Sequence, residues 1–202
     1  MKLFGTTTSP FARRVRVVAQ ELGVPFELIS TATPEGESTL RQLAPLWKLP
    51  VAVFPEPGGE RVVWDSRAII DYLVSVHGLG PFRPAASGDP WLESNLVNAI
   101  DGALEAAINV FYLEREGLPA DRAAYLTKQV GRTDSALRWV EAQLRGSFFF
   151  ADARMGMAEL ALATTLDWLL FRKRYSVEQH PGLAAFMRVH AKRPSLKDTY
   201  PH

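Results

Sequence analysis

Apolar residues recur along this chain with two different periods, and the change of period divides it. Lys2-Leu3-Phe4-Gly5-Thr6 and Phe26-Glu27-Leu28-Ile29 are short strand-like runs bounded by turn formers. Phe11, Val15, Val18, Ala19 and Leu22 lie between them at helical spacing. Ser9 is placed to cap that helix, Pro10 to take its first position and Gly23 to close it. A strand, a helix of about a dozen residues and a second strand make a βαβ unit, whose strands are expected to be parallel. A polar stretch containing Gly36 then precedes a short predicted helix near 39–43. Residues 51–54 and 61–64 form a predicted hairpin around Glu56-Pro57-Gly58-Gly59, where Pro and Gly supply the turn dihedrals. A helix over 67–76, opened by Asp65-Ser66, completes a β-α-β-α-β-β-α order across residues 1–78.

Gly78, Gly80, Pro81, Pro84 and Gly88 crowd residues 79–89, which reads as a linker. Beyond it only the helical period survives, so residues 90–202 are expected to form an all-helical domain, giving an α/β plus all-α architecture. Leu92, Leu96, Ile100, Leu104 and Ala107 mark its first helix. Ala123, Leu126, Val130, Thr133, Leu137, Val140 and Leu144 mark the next, in the three-four alternation of a bundle stripe. Residues 158–170 are apolar on nearly every face, the mark of a central helix. Gly156 is placed to cap it, with Glu159 reaching back, and Asp167 within it needs a buried partner. A helix over 181–192 and a final turn after Arg193-Pro194-Ser195 close the chain. Arg13, Arg14 and Arg16 read as the solvated face of the first helix.

Composition narrows the chemistry. With 202 residues, 47% hydrophobic and 22% charged, the chain can bury a sizeable core. A net charge of +1 points to neither nucleic acid nor a membrane surface as partner. No apolar run of 18 residues and no leader pattern is read, so the expectation is a cytoplasmic protein without membrane. There is no cysteine, which excludes disulfides, cysteine metal sites and cysteine nucleophiles. His77, His180, His190 and His202 are scattered, none at a spacing of four, and no metal is expected.

The local chemistry centres on Leu49-Pro50-Val51 and Trp64-Asp65-Ser66. A proline at the head of a strand sits where no ladder donor is needed, and an X-Pro bond is the one place where a cis peptide costs little. A cis Leu49-Pro50 bond would turn the Leu49 backbone outward, free to pair with an extended peptide. The helix start at Asp65-Ser66 offers free N–H groups for a carboxylate. Together they predict a small acidic peptide as ligand.

Several motifs occur here in order: Thr8-Ser9-Pro10-Phe11-Ala12-Arg13 after the first strand, Ala44-Pro45-Leu46-Trp47-Lys48-Leu49-Pro50-Val51, Trp64-Asp65-Ser66 and Arg193-Pro194-Ser195. The chain thereby resembles the cytosolic glutathione transferase superfamily over nearly its whole length, as a bacterial serine-type member. The resemblance implies a thioredoxin-like N-terminal domain, a helical C-terminal domain contributing an acceptor pocket, a homodimer, and glutathione as cosubstrate without metal. It gives Ser9 the role of activating hydroxyl, with Thr8 the alternative. Lys48, Leu49 and Pro50 would meet the cysteinyl and glycyl portions of glutathione, and Asp65 and Ser66 its γ-glutamyl end. Phe11, Phe111, Tyr112 and Trp168 would wall the acceptor pocket. Asp101 either reaches a glutathione amine held by the other subunit or is a solvated acid.

Two departures from the family pattern stand out. Trp47 replaces a residue that is usually glycine, and Gly156-x-x-Glu159 replaces a Ser/Thr-x-x-Asp cap. The implied activity is detoxification chemistry, in which glutathione thiolate adds to an electrophilic small molecule or peroxide. No cysteine stands at position 9, which disfavours glutaredoxin-like reduction. The alternative is a non-catalytic binding or regulatory protein on the same scaffold, and isomerisation of a maleyl-type substrate ranks lower.

Overall fold

The computed structural model describes residues 1–202, the side chain of Ala86 apart. Contacts gather the chain into two compact units, Met1–Pro81 with Pro194–His202, and Phe82–Arg193.

The first unit holds β1 (Lys2–Gly5), α1 (Pro10–Glu21), β2 (Glu27–Ser30), α2 (Pro34–Leu43), β3 (Val51–Glu56), β4 (Gly59–Val63) and α3 (Ser66–His77). This is the predicted β-α-β-α-β-β-α order, the thioredoxin-like arrangement. The sheet runs β2-β1-β3-β4. β1 and β2 are parallel, as the βαβ reading requires, while β3 runs antiparallel to both β1 and β4. Side chains alternate across the strands. Phe4, Val51 and Val53 meet Leu40 and Ala44 in one buried cluster, while Leu3 and Ala52, of the opposite parity, are fully buried in the other layer.

α2 begins five residues before the helix expected near 39–43. Thr33 caps it by accepting from Gly36 N at 3.1 Å, and Pro34 takes the first position. Gly36 misled the sequence reading because it looks like a loop residue. A Cβ there would lie 2.0 Å from Ser30 O, so glycine is required where α2 crosses the end of β2.

The three arginines of α1 also depart from expectation. Arg13, Arg14 and Arg16 are all buried, Arg13 to within 1%. The chain after Arg193 forms α8 (Pro194–Asp198) and belongs to the first unit, not to the helical domain drawn from sequence over 90–202. Arg13 Nη2 donates to Leu196 O at 2.8 Å and its Nε to Thr199 Oγ1 at 3.2 Å, with Tyr200 stacked beneath the guanidinium. Ser195 donates to Glu21 from the same segment. Thus α1 is covered on its outer face, where an isolated helix would have met water.

The second unit contains α4 (Pro90–Arg115), α5 (Ala124–Ala142), α6 (Met157–Phe171) and α7 (Pro181–His190). Asp89 caps α4, accepting from Trp91 N and Leu92 N, both at 3.0 Å. α4 packs chiefly against α5 and α6. α4 has 26 residues and an 18-residue stretch with a mean hydropathy of 1.3, and so matches a membrane-crossing helix in length and composition. Leu96, Ile100, Ala103 and Leu104 are nonetheless fully buried along one side, as in a bundle core. α6 is buried from Ala158 to Leu166 without interruption, as its uniform apolarity predicts. Asp167 is half-buried and partnered.

Candidate functional site

The register of the first unit brings three separated segments to one edge of the sheet. Phe4 pairs with Val51 and Ala52 with Val63. The end of β1, the start of β3 and the end of β4 are therefore neighbours. Each leads into a candidate segment: Ser9 follows β1, Leu49-Pro50 precedes β3, and Asp65-Ser66 follows β4.

Ser9 lies at the head of α1 with extended backbone and accepts a hydrogen bond from Ala12 N at 3.2 Å. The hydroxyl thereby uses one lone pair, and its hydrogen has no acceptor among the described residues. Thr8 Oγ1 sits 3.4 Å from Thr6 Oγ1. Thr7 anchors the turn by donating to His202 O at 3.1 Å, a contact that no local pattern signals, because its partners are 195 positions apart.

The Leu49-Pro50 bond is cis, as expected, and the Trp64-Asp65 bond is also cis. Pro50 is buried, Leu49 half-buried and Lys48 exposed. Trp47, next to Lys48, has φ = 51°, in the left-handed region that glycine adopts most readily. That backbone fits the glycine that the family resemblance leads one to expect here. The indole itself is 59% exposed and carries Arg41 over its face at 4.5 Å.

Asp65 caps α3, its Oδ1 accepting from Arg67 N at 3.0 Å. Ser66, the first helical residue, is buried. A helix start so arranged carries partial positive charge and amide donors suited to a carboxylate.

The remaining aromatic candidates fall in both units. Phe11, on α1, is half-buried beneath Arg14 at 5.0 Å. In the helical unit Phe111 and Trp168 meet edge to face at 5.7 Å, and Phe111 and Tyr112 at 5.3 Å. Tyr112 is 57% exposed, whereas Trp168 is buried. Sequence reasoning missed the cations gathered on Phe111: Arg115, Arg172 and Arg174 lie 5.6, 4.9 and 5.3 Å from its ring. Their only linear signal is that each stands at or just beyond the end of an apolar helix. Among the described residues no group of three or more His, Asp or Glu is arranged to hold a metal.

Family models carry this arrangement to a conclusion. Residues 8–76 match the N-terminal domain of glutathione S-transferases, and residues 97–188 match their C-terminal domain. The chain belongs to the glutathione S-transferase family. An uncharacterized GST-like protein of Escherichia coli K12, YibF, is 30% identical over 180 residues, covering 86% of this chain and 84% of that one. Glutathione S-transferase 4 of Zea mays is 25% identical over 205 residues, covering 96% and 89%. The crystal structure of a Methylobacillus flagellatus glutathione S-transferase with glutathione bound matches with a TM-score of 0.82 at 26% identity, over 100% of this chain and 99% of that one. Membership covers both units, since the two matched segments fall on either side of the glycine- and proline-rich stretch near residue 80.

Proposed function

We propose that this chain is a serine-type glutathione transferase in which Ser9 holds the glutathione sulfur as a thiolate for attack on an electrophilic small molecule or peroxide. The supporting observation is the meeting of the Ser9 turn, cis Leu49-Pro50 and the Asp65-Ser66 helix start at one sheet edge. In this reading Lys48, Leu49 and Pro50 take the cysteinyl-glycyl portion and Asp65 and Ser66 the γ-glutamyl end. Phe11, Phe111, Tyr112 and Trp168 contact the acceptor. We take the working form to be a cytoplasmic homodimer, on family grounds.

A cysteinyl thiol titrates near 8.5, so at neutral pH it is mostly protonated and a poor nucleophile. Lowering that value by about two units needs roughly 2.7 kcal/mol. One charge-assisted hydrogen bond at about 1.5–3 kcal/mol plus a helix-terminus contribution of up to about 2 kcal/mol is enough. Ser9 can cap α1 and serve the sulfur at once, because Ala12 N occupies a lone pair and leaves the hydroxyl hydrogen to donate. No general base is needed.

Steady-state kinetics with an activated aryl halide and the ultraviolet absorbance of bound thiolate against pH test the assignment. Ser9→Ala should lower kcat by about tenfold to a hundredfold, raise the thiol pKa and leave glutathione affinity nearly unchanged. The same losses in Thr8→Val with none in Ser9→Ala would move the role to Thr8. The exposed Trp47 beside Lys48 favours one other reading, a scaffold that no longer turns over. No calorimetric heat with millimolar glutathione would support it.

A further inference from the structure

The helical unit contains a cavity of about 400 Å³, large enough for a small organic ligand. Ala107 and Val110 of α4 and Val130 of α5 give it an apolar side, and Asp134, Arg174 and Tyr175 give it a polar one. Val130, expected from sequence on the packed stripe of α5, is instead 49% exposed, so an apolar position opens onto this space. All its walls lie within Phe82–Arg193. None of its lining residues is among those assigned to glutathione or the acceptor, although Arg174 also flanks the Phe111 ring at 5.3 Å.

Its polar groups have distinct remaining capacities. Asp134 accepts from Arg138 Nε at 2.7 Å and from the Tyr175 hydroxyl at 3.1 Å. An ionised carboxylate offers about four acceptor positions, so two remain. The Arg138 hydrogen bond also holds this carboxyl below its ordinary range. Arg174 pairs with Glu114 through Nη1 and keeps 26% of its side chain exposed, so part of its guanidinium still lines the cavity. Thr133 offers nothing, since its hydroxyl is turned to Ala103 O and Gln129 O.

The polar wall is also held rigidly. Tyr175 lies 2.8 Å from His180 Nε2, His180 Nδ1 lies 2.9 Å from Glu141 Oε2, and Gly182 N donates to Glu141 Oε1 at 2.7 Å. This chain ties the wall to the start of α7 and fixes Asp134 before any ligand arrives, which reduces the entropy cost of binding. Asp134 is balanced by Arg138, and Arg174 by Glu114. A bare cation or anion would upset one of those balances, whereas a ligand carrying both charges would not.

We propose that this cavity is a second binding site, for a zwitterion of amino-acid to dipeptide size with an apolar side chain. The ligand carboxylate accepts from the open part of the Arg174 guanidinium, its ammonium donates to Asp134, and its side chain lies on Ala107, Val110 and Val130.

The test is calorimetry on the full chain saturated with glutathione, with L-phenylalanine, 3-phenylpropanoate and 2-phenylethylamine as probes. Phenylalanine should bind, and each half-molecule should bind about tenfold more weakly or worse. A Cβ at Gly131, on the cavity wall, would meet nothing within 4 Å, so Gly131→Leu adds apolar bulk to that wall. It should abolish phenylalanine binding and leave glutathione binding intact. Asp134→Asn keeps the shape and should reduce phenylalanine to the level of 3-phenylpropanoate. Equal binding of all three probes, no binding of phenylalanine, retention in Gly131→Leu, or displacement by glutathione would each overturn the proposal.

Discussion

Glu93 of α4 accepts a hydrogen bond from the backbone N–H of Met157, the first residue of α6, at 3.2 Å. The head of the central helix is thus capped in part by a carboxylate from a different helix. The same Glu93 oxygen lies 2.6 Å from Arg83 Nη2, in an ion pair with both side chains buried. Arg83 is in turn stacked on Phe150 at 4.0 Å. Glu159 completes the cap from within α6, taking Gly156 N at 2.8 Å and Phe149 N at 2.9 Å. Burial raises the Glu159 carboxyl above its usual value, against the pull of those amides.

This arrangement accounts for glycine at 156. A Cβ there would lie 2.6 Å from Arg83 Nη2 and 2.8 Å from Glu93 Oε1. The ion pair occupies the room that a serine or threonine cap would need. Gly156→Ser should therefore destabilise the chain by roughly 2–4 kcal/mol, the cost of overpacking a buried pair. Glu93→Ala should cost about 3–5 kcal/mol, because Arg83 is left charged and buried. In the double variant the serine finds space and can cap α6, so the two losses should fall short of adding. Urea denaturation of the four proteins measures this; strict additivity would refute the shared-space account.

Trp47 offers a separate test at the proposed glutathione site. A non-glycine residue in the left-handed region costs about 1 kcal/mol, and its φ is 51°. Trp47→Gly removes that cost but also frees the unfolded chain, by about 0.5–1 kcal/mol, and forfeits the Arg41 stacking. These nearly cancel, so the melting temperature should move little. Glutathione affinity should instead rise severalfold if the indole crowds the glycyl end. Calorimetry at fixed pH decides, and unchanged affinity would clear Trp47 of any effect on binding.

The staple at α1 is a third. Arg13 gives one donor to Leu196 O and one to Thr199 Oγ1. Hydrogen bonds from a charged donor are worth about 1.5–3 kcal/mol each. Arg13→Ala should destabilise the first unit by about 3 kcal/mol or more and expose 194–202 to proteolysis. Arg13→Lys should recover only part of this, since a single ammonium cannot reproduce the fork. Limited proteolysis followed by mass spectrometry reads the effect; a segment equally protected in Arg13→Ala would show that other contacts hold it.

What the sequence revealed and what it hid follow one physical division. The element order, cis Leu49-Pro50 and the caps at Ser9, Asp65 and Asp89 depend on neighbours a few positions apart, and local patterns report them. Thr33-Pro34 carried the same cap-and-proline signal as Ser9-Pro10 and Asp89-Pro90, but Gly36 obscured it. The burial of Arg13 depends on a partner 183 residues away, and the Glu93 cap on one 64 away. Periodicity cannot see such pairs: a buried arginine satisfied by distant carbonyls looks, in sequence, like one in solvent. The aromatic candidates show the same limit, since nothing linear places three arginines around Phe111.

The last test concerns pH. His190 closes α7, its Nε2–H donating to Ser147 O at 2.8 Å, with Phe186 at 4.1 Å and Phe148 at 5.0 Å from its ring. Burial pushes the imidazole below its ordinary value, and nearby Arg193 acts in the same direction, against the Ser147 hydrogen bond. In the unfolded chain His190 titrates near 6.5. Below that pH the unfolded state takes up the proton and the folded state does not, so stability rises with pH there. His190 is thus neutral at no cost above about pH 6.5, and costs stability progressively as the pH falls from there. The carboxylate of Asp134 is shifted the other way from the viewpoint of charge, held ionised by Arg138, and its contribution is lost only in more acid solution, below about pH 4. The two windows are separate. The wild-type melting temperature should fall between pH 7 and pH 5.5, and His190→Gln, which keeps a donor but does not titrate, should show a shallower fall over that interval. Parallel curves for the two proteins would mean that His190 is protonated in the folded state as readily as in the unfolded one.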